Sequence, residues 1–375
     1  MPPPITAPSL FENEYDVAIV GGGPGGATCA AFCAAGGWRT LLIERETFPR
    51  EKVCGDCLNP AAWPVLARLG VEEAVRALPS SPLREVEFAD ARGRSIRCAL
   101  PDGPRAELGI RRSHLDALLL DTAKARGVRV CEGIAVEHVV REGACWRITA
   151  GGRTFAARTL VAADGRNSTV ARLLGILPDA AKDRVALQTH FPATPELDGR
   201  VVMRFLPWGY SGLAAVGDGL LNLCLVARPR DIGALKAWAV AHFHLPAEQP
   251  WRTVTPLSRA AVSPAPANVG GMVLVGDAAR VVEPFTGEGI FYALATGELA
   301  ARHLLAGDIA GYAKSHAQLY RGRLWVNHFA RAACLHPRFA SAMVALARRW
   351  PSVLQWLTRK VVPPSQGVTP ASARR

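Results

Sequence analysis

The feature that most constrains this chain is Gly21-Gly22-Gly23-Pro24-Gly25-Gly26, which lies between an apolar run, Tyr15-Asp16-Val17-Ala18-Ile19-Val20, and the small residues Ala27-Thr28-Cys29-Ala30-Ala31. A buried strand, a glycine turn and a helix in that order place the pyrophosphate of a dinucleotide at a helix N-terminus. Gly21 permits the tight turn, Gly23 lets the backbone approach the diphosphate, and Gly26 lets the helix pack close to the strand. A second apolar run, Thr40-Leu41-Leu42-Ile43, ends in Glu44. An acid about 20 residues beyond the glycines is the expected partner of the ribose hydroxyls.

Two further glycine motifs follow strand-like runs. Leu160-Val161-Ala162-Ala163 leads into Asp164-Gly165, and Met272-Val273-Leu274-Val275 leads into Gly276-Asp277. Together with the first turn they read as one FAD site. Asp277 can accept hydrogen bonds from ribitol hydroxyls, and Gly287-Glu288-Gly289 opens a helix whose N-terminus favours negative charge on reduced flavin. The single dinucleotide fingerprint is taken up by FAD. A second Rossmann domain for NAD(P)H is therefore absent from the pattern, and proteins built this way meet NADPH or NADH transiently at the cleft or take electrons from elsewhere.

The run lengths divide the chain into an α/β fold. A discontinuous Rossmann-type FAD-binding domain is expected in residues 13–48, 105–178 and 268–310, and a second, mostly antiparallel β-sheet substrate domain in 55–104 and 183–262. C-terminal helices fill 311–362, and 1–12 and 363–375 are expected to be flexible tails. Val86–Ala89 and Ser95–Ala99 form a hairpin signal, and Leu115–Arg126 an amphipathic helix. Ala135–Val140, Cys145–Ala150 and Thr154–Arg158 read as a meander, separate from the strand Leu160–Ala163. Val185–Phe191, Val201–Phe205, Ser211–Val216 and Leu220–Val226 read as strands of the substrate sheet, and a long helix is expected from Gly287 to Leu305. Phe48–Pro60 shows no strand pattern and reads as a loop entering the cleft.

The chain has 375 residues, 49% of them hydrophobic, which is enough for two domains sharing a cleft. No apolar run is long enough to cross a bilayer, and Met1-Pro2-Pro3-Pro4 does not resemble a secretory signal, so a cytoplasmic location is expected. Nine cysteines without small-domain spacing suit a reducing compartment. Cys54 and Cys57 form one C-x-x-C pair with no second pair, so no metal site is expected; they read as small buried residues or as a redox dithiol. The formal net charge is +12, but the arginines are scattered and no nucleic-acid motif is present. Near the C-terminus Arg331, Arg338, Arg348, Arg349, Arg359 and Lys360 interleave with Phe339, Met343, Leu346, Trp350, Leu354, Trp356 and Leu357. This pattern fits peripheral membrane contact, or a helix pair packed on the protein's own core with its arginines in solvent. Oligomeric state is not encoded in any recognisable pattern.

The order of motifs resembles the p-hydroxybenzoate hydroxylase-like FAD-dependent oxidoreductases, and within them the geranylgeranyl reductase-like branch, over almost the whole chain. Glu44-Arg45, Phe48-Pro49-Arg50 and Lys52-Val53-Cys54-Gly55 resemble that branch's loop after the second strand. By the same resemblance Arg112, four residues before Asp116, contacts the FAD pyrophosphate. Asp164-Gly165-Arg166-Asn167-Ser168 with Arg172 corresponds to the second family motif, and Gly276-Asp277-Ala278-Ala279 through Pro284 to Gly287-Glu288-Gly289 to the third.

The resemblance implies an enzyme acting on an apolar small molecule by one of three reactions: hydroxylation by an NAD(P)H-dependent monooxygenase through a flavin C4a-hydroperoxide, reduction of an isolated carbon–carbon double bond, or halogenation. Halogenation is least supported, because the halogenases' tryptophan-containing signature is absent. Cys54-Gly55 and Gly287-Glu288-Gly289-Ile290 favour double-bond reduction, whereas the reductases' aromatic strand motif is replaced by Phe205-Leu206-Pro207-Trp208-Gly209-Tyr210-Ser211-Gly212. The reading leans slightly to hydroxylation of a phenolic, polyketide-like or lipid-tailed substrate. Alternation along the strands makes His190, Met203, Phe205, Trp208 and Tyr210 candidates for the pocket, with Cys54 and Cys57 beside them. Two further readings stay open: a flavin redox sensor using those cysteines, and an enzyme modifying a protein or carrier-bound group.

Overall fold

A computed structural model describes residues 14–181, 184–262, 270–322 and 324–362. The expected flexible tails lie outside these residues. The strand Glu14–Val20 is the centre of a seven-stranded sheet, flanked in parallel by Thr40–Ile43 and by Arg153–Ala162. Val17 and Ile19 point into one core, while Ala18 and Val20 point into another on the opposite face. Burial on both faces explains the uninterrupted apolar run.

The meander and the next strand, expected to be separate, are joined. Arg153–Ala162 is one continuous strand: its first half pairs antiparallel with Cys145–Ala150, and its second half pairs in parallel with Met272–Leu274 on the same edge. The two halves have different neighbours, so one uninterrupted strand has two burial patterns, and these resemble two strands in the sequence.

The helix Pro24–Ala35 starts directly from the glycine turn and is made almost entirely of small residues. That lets it lie against the helix Gly289–Leu305, where a Cβ on Gly297 would come 2.3 Å from the Gly25 carbonyl oxygen. Residues 60–76, which follow the cleft loop, also join this core: Trp63, Leu66, Leu69 and Val75 pack with Val17, Ile19 and Leu119.

The second sheet runs in the order Arg252–Val254, Val185–Pro192, Leu220–Ala227, Gly209–Ala215, Arg200–Leu206, Glu85–Ala89, Ser95–Ala99. It is antiparallel except where Arg200–Leu206 meets Glu85–Ala89. One face is covered by the helix Ile232–His242 through Leu235 and Ala239. The other packs against the C-terminal helices Leu324–Leu335, Pro337–Arg349 and Pro351–Val361.

Between the two sheets sits a three-stranded one, Cys57–Leu58, Glu107–Ile110 and Ser80–Leu83. Its first strand corrects the reading of Phe48–Pro60 as loop throughout. Two residues are too few for alternation to show, and the strand exists because Leu58 and Cys57 pair with Leu108 and Gly109. Gly109 is needed there, since a Cβ would meet the Ala215 carbonyl oxygen at 1.8 Å. That close approach locks the small sheet onto the substrate sheet.

Candidate active site

The three glycine motifs, separated by more than a hundred residues each, converge on one cavity of about 390 Å³. Gly23, Pro24 and Gly25 form one side of it, Gly165 and Arg166 a second, and Gly276, Asp277, Pro284, Gly287 and Gly289 a third. The local geometry explains the glycines. Gly21 has φ +105°, and a Cβ on Gly26 would fall 1.8 Å from the Gly21 carbonyl oxygen. Glu44 Oε2 accepts the N–H of Gly22 at 2.6 Å, and its Oε1 accepts that of Glu46 at 2.9 Å. The acid therefore stands beside the glycine turn, where a ribose partner is required.

Four cations gather at this turn. Arg112 donates to both carboxylate oxygens of the buried Asp116, at 2.8 and 2.7 Å, and Arg50 Nη1 lies 3.1 Å from Asp116 Oδ2. Arg166 Nη2 lies 3.4 Å from Asp277 Oδ2. Lys52 has no hydrogen bond or ion pair among the described residues, and a Cβ on Gly165 would come 3.4 Å from its Nζ. Burial and then the repulsion of Arg112 push the Lys52 ammonium down to about 8. A half-buried cation with no hydrogen bond or ion pair among the described residues, a helix N-terminus and a turn that side chains would block fit the FAD diphosphate.

This yields a pH-dependent expectation. A bound diphosphate favours protonated Lys52, which is already charged below about pH 8 in the free protein. Above that pH, binding must take up a proton, so FAD affinity falls by up to about tenfold per pH unit. Lys52→Met should weaken FAD binding about tenfold at neutral pH and flatten the alkaline fall. Fluorescence titration across this range checks it; an unchanged alkaline fall in the variant would reassign the titrating group.

Away from the diphosphate end the cavity is apolar. Met203, Phe205 and Tyr210 line it as expected, and so do Cys54 and Cys57. Phe285, which sequence reasoning did not single out, projects from the turn Pro284–Thr286. Its ring centroid lies 5.6 Å from that of Phe205 and 5.4 Å from that of Tyr210. Its only signal in the sequence was its place between Pro284 and Gly287.

Two pocket candidates lie elsewhere. His190 does not line the cavity: its Nε2 is 2.8 Å from Asp56 Oδ2. Alternation does put Ala186, Gln188 and His190 on one strand face, but the Cys54–Asp56 loop lies across that face. The Cys54 carbonyl accepts from Gln188 Nε2 at 2.9 Å and Asn222 Nδ2 at 2.8 Å, so only Ala186 reaches the cavity. Trp208 stands in the turn joining two strands and is 38% exposed, because a hairpin turn projects out of the sheet it closes.

Other expected site residues play supporting parts. Asp164 is half-buried and accepts the Val170 N–H at 3.1 Å, holding the turn that carries Gly165. Glu288 is buried at the start of the Gly289–Leu305 helix, outside the cavity wall. Arg45 is exposed, with Nε 3.4 Å from Glu46 Oε1. Burial raises the thiol pKa values of both Cys54 and Cys57, the reverse of the shift that activates a redox cysteine.

Glu107 was not anticipated. It is 5% exposed, lines the cavity beside Cys57 and Gly287, and burial pushes its carboxyl up to about 7. Nothing in Ala106-Glu107-Leu108 marks it in the sequence; its burial comes from the small sheet that carries it.

A family model described as an FAD binding domain matches residues 14–203. The chain belongs to this family of FAD-dependent oxidoreductases. It is 30% identical over 360 residues to a menaquinone reductase of Mycolicibacterium smegmatis, covering 88% of this chain and 85% of that one. It is 28% identical over 337 residues to a digeranylgeranylglycerophospholipid reductase of Methanocella arvoryzae, with 81% and 82% covered. A geranylgeranyl bacteriochlorophyll reductase-like protein of Thermoplasma acidophilum shares the fold, with a TM-score of 0.75 at 23% identity and with 93% and 100% of the chains covered. The fold is also shared with monooxygenases and halogenases. The chain is thus an FAD enzyme, as its glycine motifs predict.

Proposed function

We propose that this enzyme reduces a carbon–carbon double bond in the prenyl chain of a lipid-soluble substrate, a prenylated quinone or a prenyl lipid. The observation that carries this reading is the cavity itself. It runs from the flavin motifs past Phe205, Tyr210 and Phe285 to the C-terminal helices, and its walls there are Val326, Phe329, Met343, Val344, Leu354 and Leu357. A long apolar channel matches a long apolar chain better than it matches a small phenol, whose hydroxyl would need a polar partner. The two relatives named above for reducing menaquinone and a digeranylgeranyl lipid support the same substrate class. This reverses the slight lean of the sequence toward hydroxylation.

FAD supplies the two-electron chemistry when bound, with NADPH or NADH as the proposed electron donor. Arg50, Lys52, Arg112 and Arg166 would hold its diphosphate, and Glu44 and Asp277 its sugar hydroxyls. Apolar walls exclude water and hold the chain extended against the Phe205–Phe285–Tyr210 rings. The reduction also consumes a proton, and Glu107 is placed to keep one: with its pKa near 7, half its carboxyl is protonated at neutral pH inside an otherwise apolar wall.

The test is mass spectrometry of a prenylated quinone or digeranylgeranyl lipid incubated with the FAD-loaded enzyme and NAD(P)H. A gain of two hydrogens that stays on the prenyl chain after any quinol is reoxidised to the quinone is expected, with no oxygen atom incorporated. A gain of one oxygen would overturn the proposal in favour of hydroxylation.

A further inference from the structure

We infer that the C-terminal helices Pro337–Arg349 and Pro351–Val361 dock the enzyme on an anionic lipid bilayer and open the cavity directly into it. The inference uses the prenyl-lipid reading for its purpose, while its geometry stands independently. Residues 309–375 contain eleven Lys and Arg and no Asp or Glu, in a chain whose whole net charge is +12. Nearly the entire excess of positive charge therefore lies in this C-terminal stretch, and six of the eleven, Arg331, Arg338, Arg348, Arg349, Arg359 and Lys360, fall within the helices 324–362 that line the cavity. The rest of the molecule is close to neutral.

The apolar residues of these two helices divide into two sets. Val344, Ala347, Leu354 and Leu357 face inward and line the cavity. Trp350 and Trp356 face outward and are each 53% exposed, with no part in the cavity wall. Leu346 and Val353 do both: they line the cavity yet are 52% and 48% exposed, so the junction of the helices around Pro351 is the cavity's lip. Trp325 stacks on Trp356 at 6.0 Å, and Lys360 Nζ lies 5.6 Å from the Trp356 ring centroid, extending the same face. Arg348, Arg349, Arg359 and Lys360 are exposed around it.

A helix packed only on its own core would turn such residues inward. Here large apolar groups stay in water while basic groups ring them, as expected of an interfacial helix pair. Tryptophan favours the headgroup level, and long basic side chains reach from an apolar surface to the phosphates. The charge complement selects anionic lipid over a neutral surface. A substrate with a prenyl tail would then pass from the bilayer over Leu346 and Val353 without crossing water.

The experiment is co-sedimentation of the FAD-loaded protein with phosphatidylglycerol-containing vesicles and with pure phosphatidylcholine vesicles. Binding is expected to the first alone and to fall as salt is raised. Replacing Arg348 and Arg349 together by serine should lower partitioning about 25-fold at low salt, roughly fivefold for each charge. Trp350→Ser combined with Trp356→Ser should lower it at least about tenfold at any salt. These residues are exposed, so flavin absorbance and melting temperature should match wild type in both variants.

Equal binding to both vesicle types, no binding to either, or variants that bind like wild type would overturn the inference. So would a dimer in light scattering that the tryptophan variant dissolves while vesicles fail to bind, since the face would then join two copies. The two proposals fail separately. Vesicle binding without a reduced product removes only the proposed reaction, and reduction of detergent-dispersed substrate without vesicle binding removes only the docking surface.

Discussion

Gly26→Ala is expected to give a protein that purifies without its yellow colour. The new Cβ would lie 1.8 Å from the Gly21 carbonyl oxygen and 3.0 Å from the Ala163 Cβ. Neither neighbour is the end of a flexible side chain: Gly21 forms the turn, and Ala163 directly follows the strand Arg153–Ala162, with its N–H donating to the Val20 carbonyl at 2.8 Å. The strand and helix must separate, which moves the Gly23 and Gly25 backbone away from the diphosphate. A loss of at least about 100-fold in FAD affinity, or roughly 2.7 kcal/mol, is expected. The ratio of flavin to protein absorbance, followed by calorimetric titration with FAD, measures it. Gly233→Ala serves as the control, because a Cβ there meets nothing within 4 Å. Full flavin occupancy in the Gly26 variant would show that the close helix–strand contact is not required.

The second large effect concerns the turn that carries Phe285. Arg184 donates to both oxygens of Glu283, at 2.8 and 2.9 Å, and both side chains are almost completely buried. Asn327 Oδ1 accepts the Glu283 N–H at 2.8 Å, so this point ties the flavin turn both to the substrate domain and to the first C-terminal helix. Arg184→Ala leaves a carboxylate buried without its main partner, at a cost of about 3–5 kcal/mol. Thermal unfolding should shift down by roughly 5–10 °C, with partial loss of flavin. Arg184→Met combined with Glu283→Gln should recover most of the loss, because it removes the stranded charge instead of exposing it. If the double variant is as unstable as the single one, the bidentate pair acts by holding the turn's geometry, and its charge balance is secondary.

The parts of the site that were legible in the sequence are those whose function depends on backbone shape. Gly21, Gly26, Gly276 and Gly287 announce themselves because neighbouring residues in the chain already restrict what the backbone can do. The pocket was less legible. Phe205 and Tyr210 were found by alternation, but the same rule proposed His190, which fails because a loop 134 residues away in sequence lies over its strand. Glu107 owes its raised pKa to burial alone, and Lys52 its lowered one to burial and then to Arg112, which is 60 residues away in the chain; neither burial nor that neighbour is visible in the residues beside them.

The C-terminal helices show the same division. Their basic and apolar residues, and the break at Pro351, could be read directly, but that pattern fits equally well a helix pair packed on its own core and one facing lipid. By itself, then, the sequence determined the dinucleotide turn, the interrupted cofactor domain, the antiparallel substrate sheet and the FAD chemistry, because short-range sterics and side-chain period dictate them. The tertiary structure alone decided which side chains share the cavity, which carboxyl keeps a proton and which apolar faces remain exposed. Each of these depends on what elements distant in the chain cover or leave open, and burial of a group is a property of its neighbours in space.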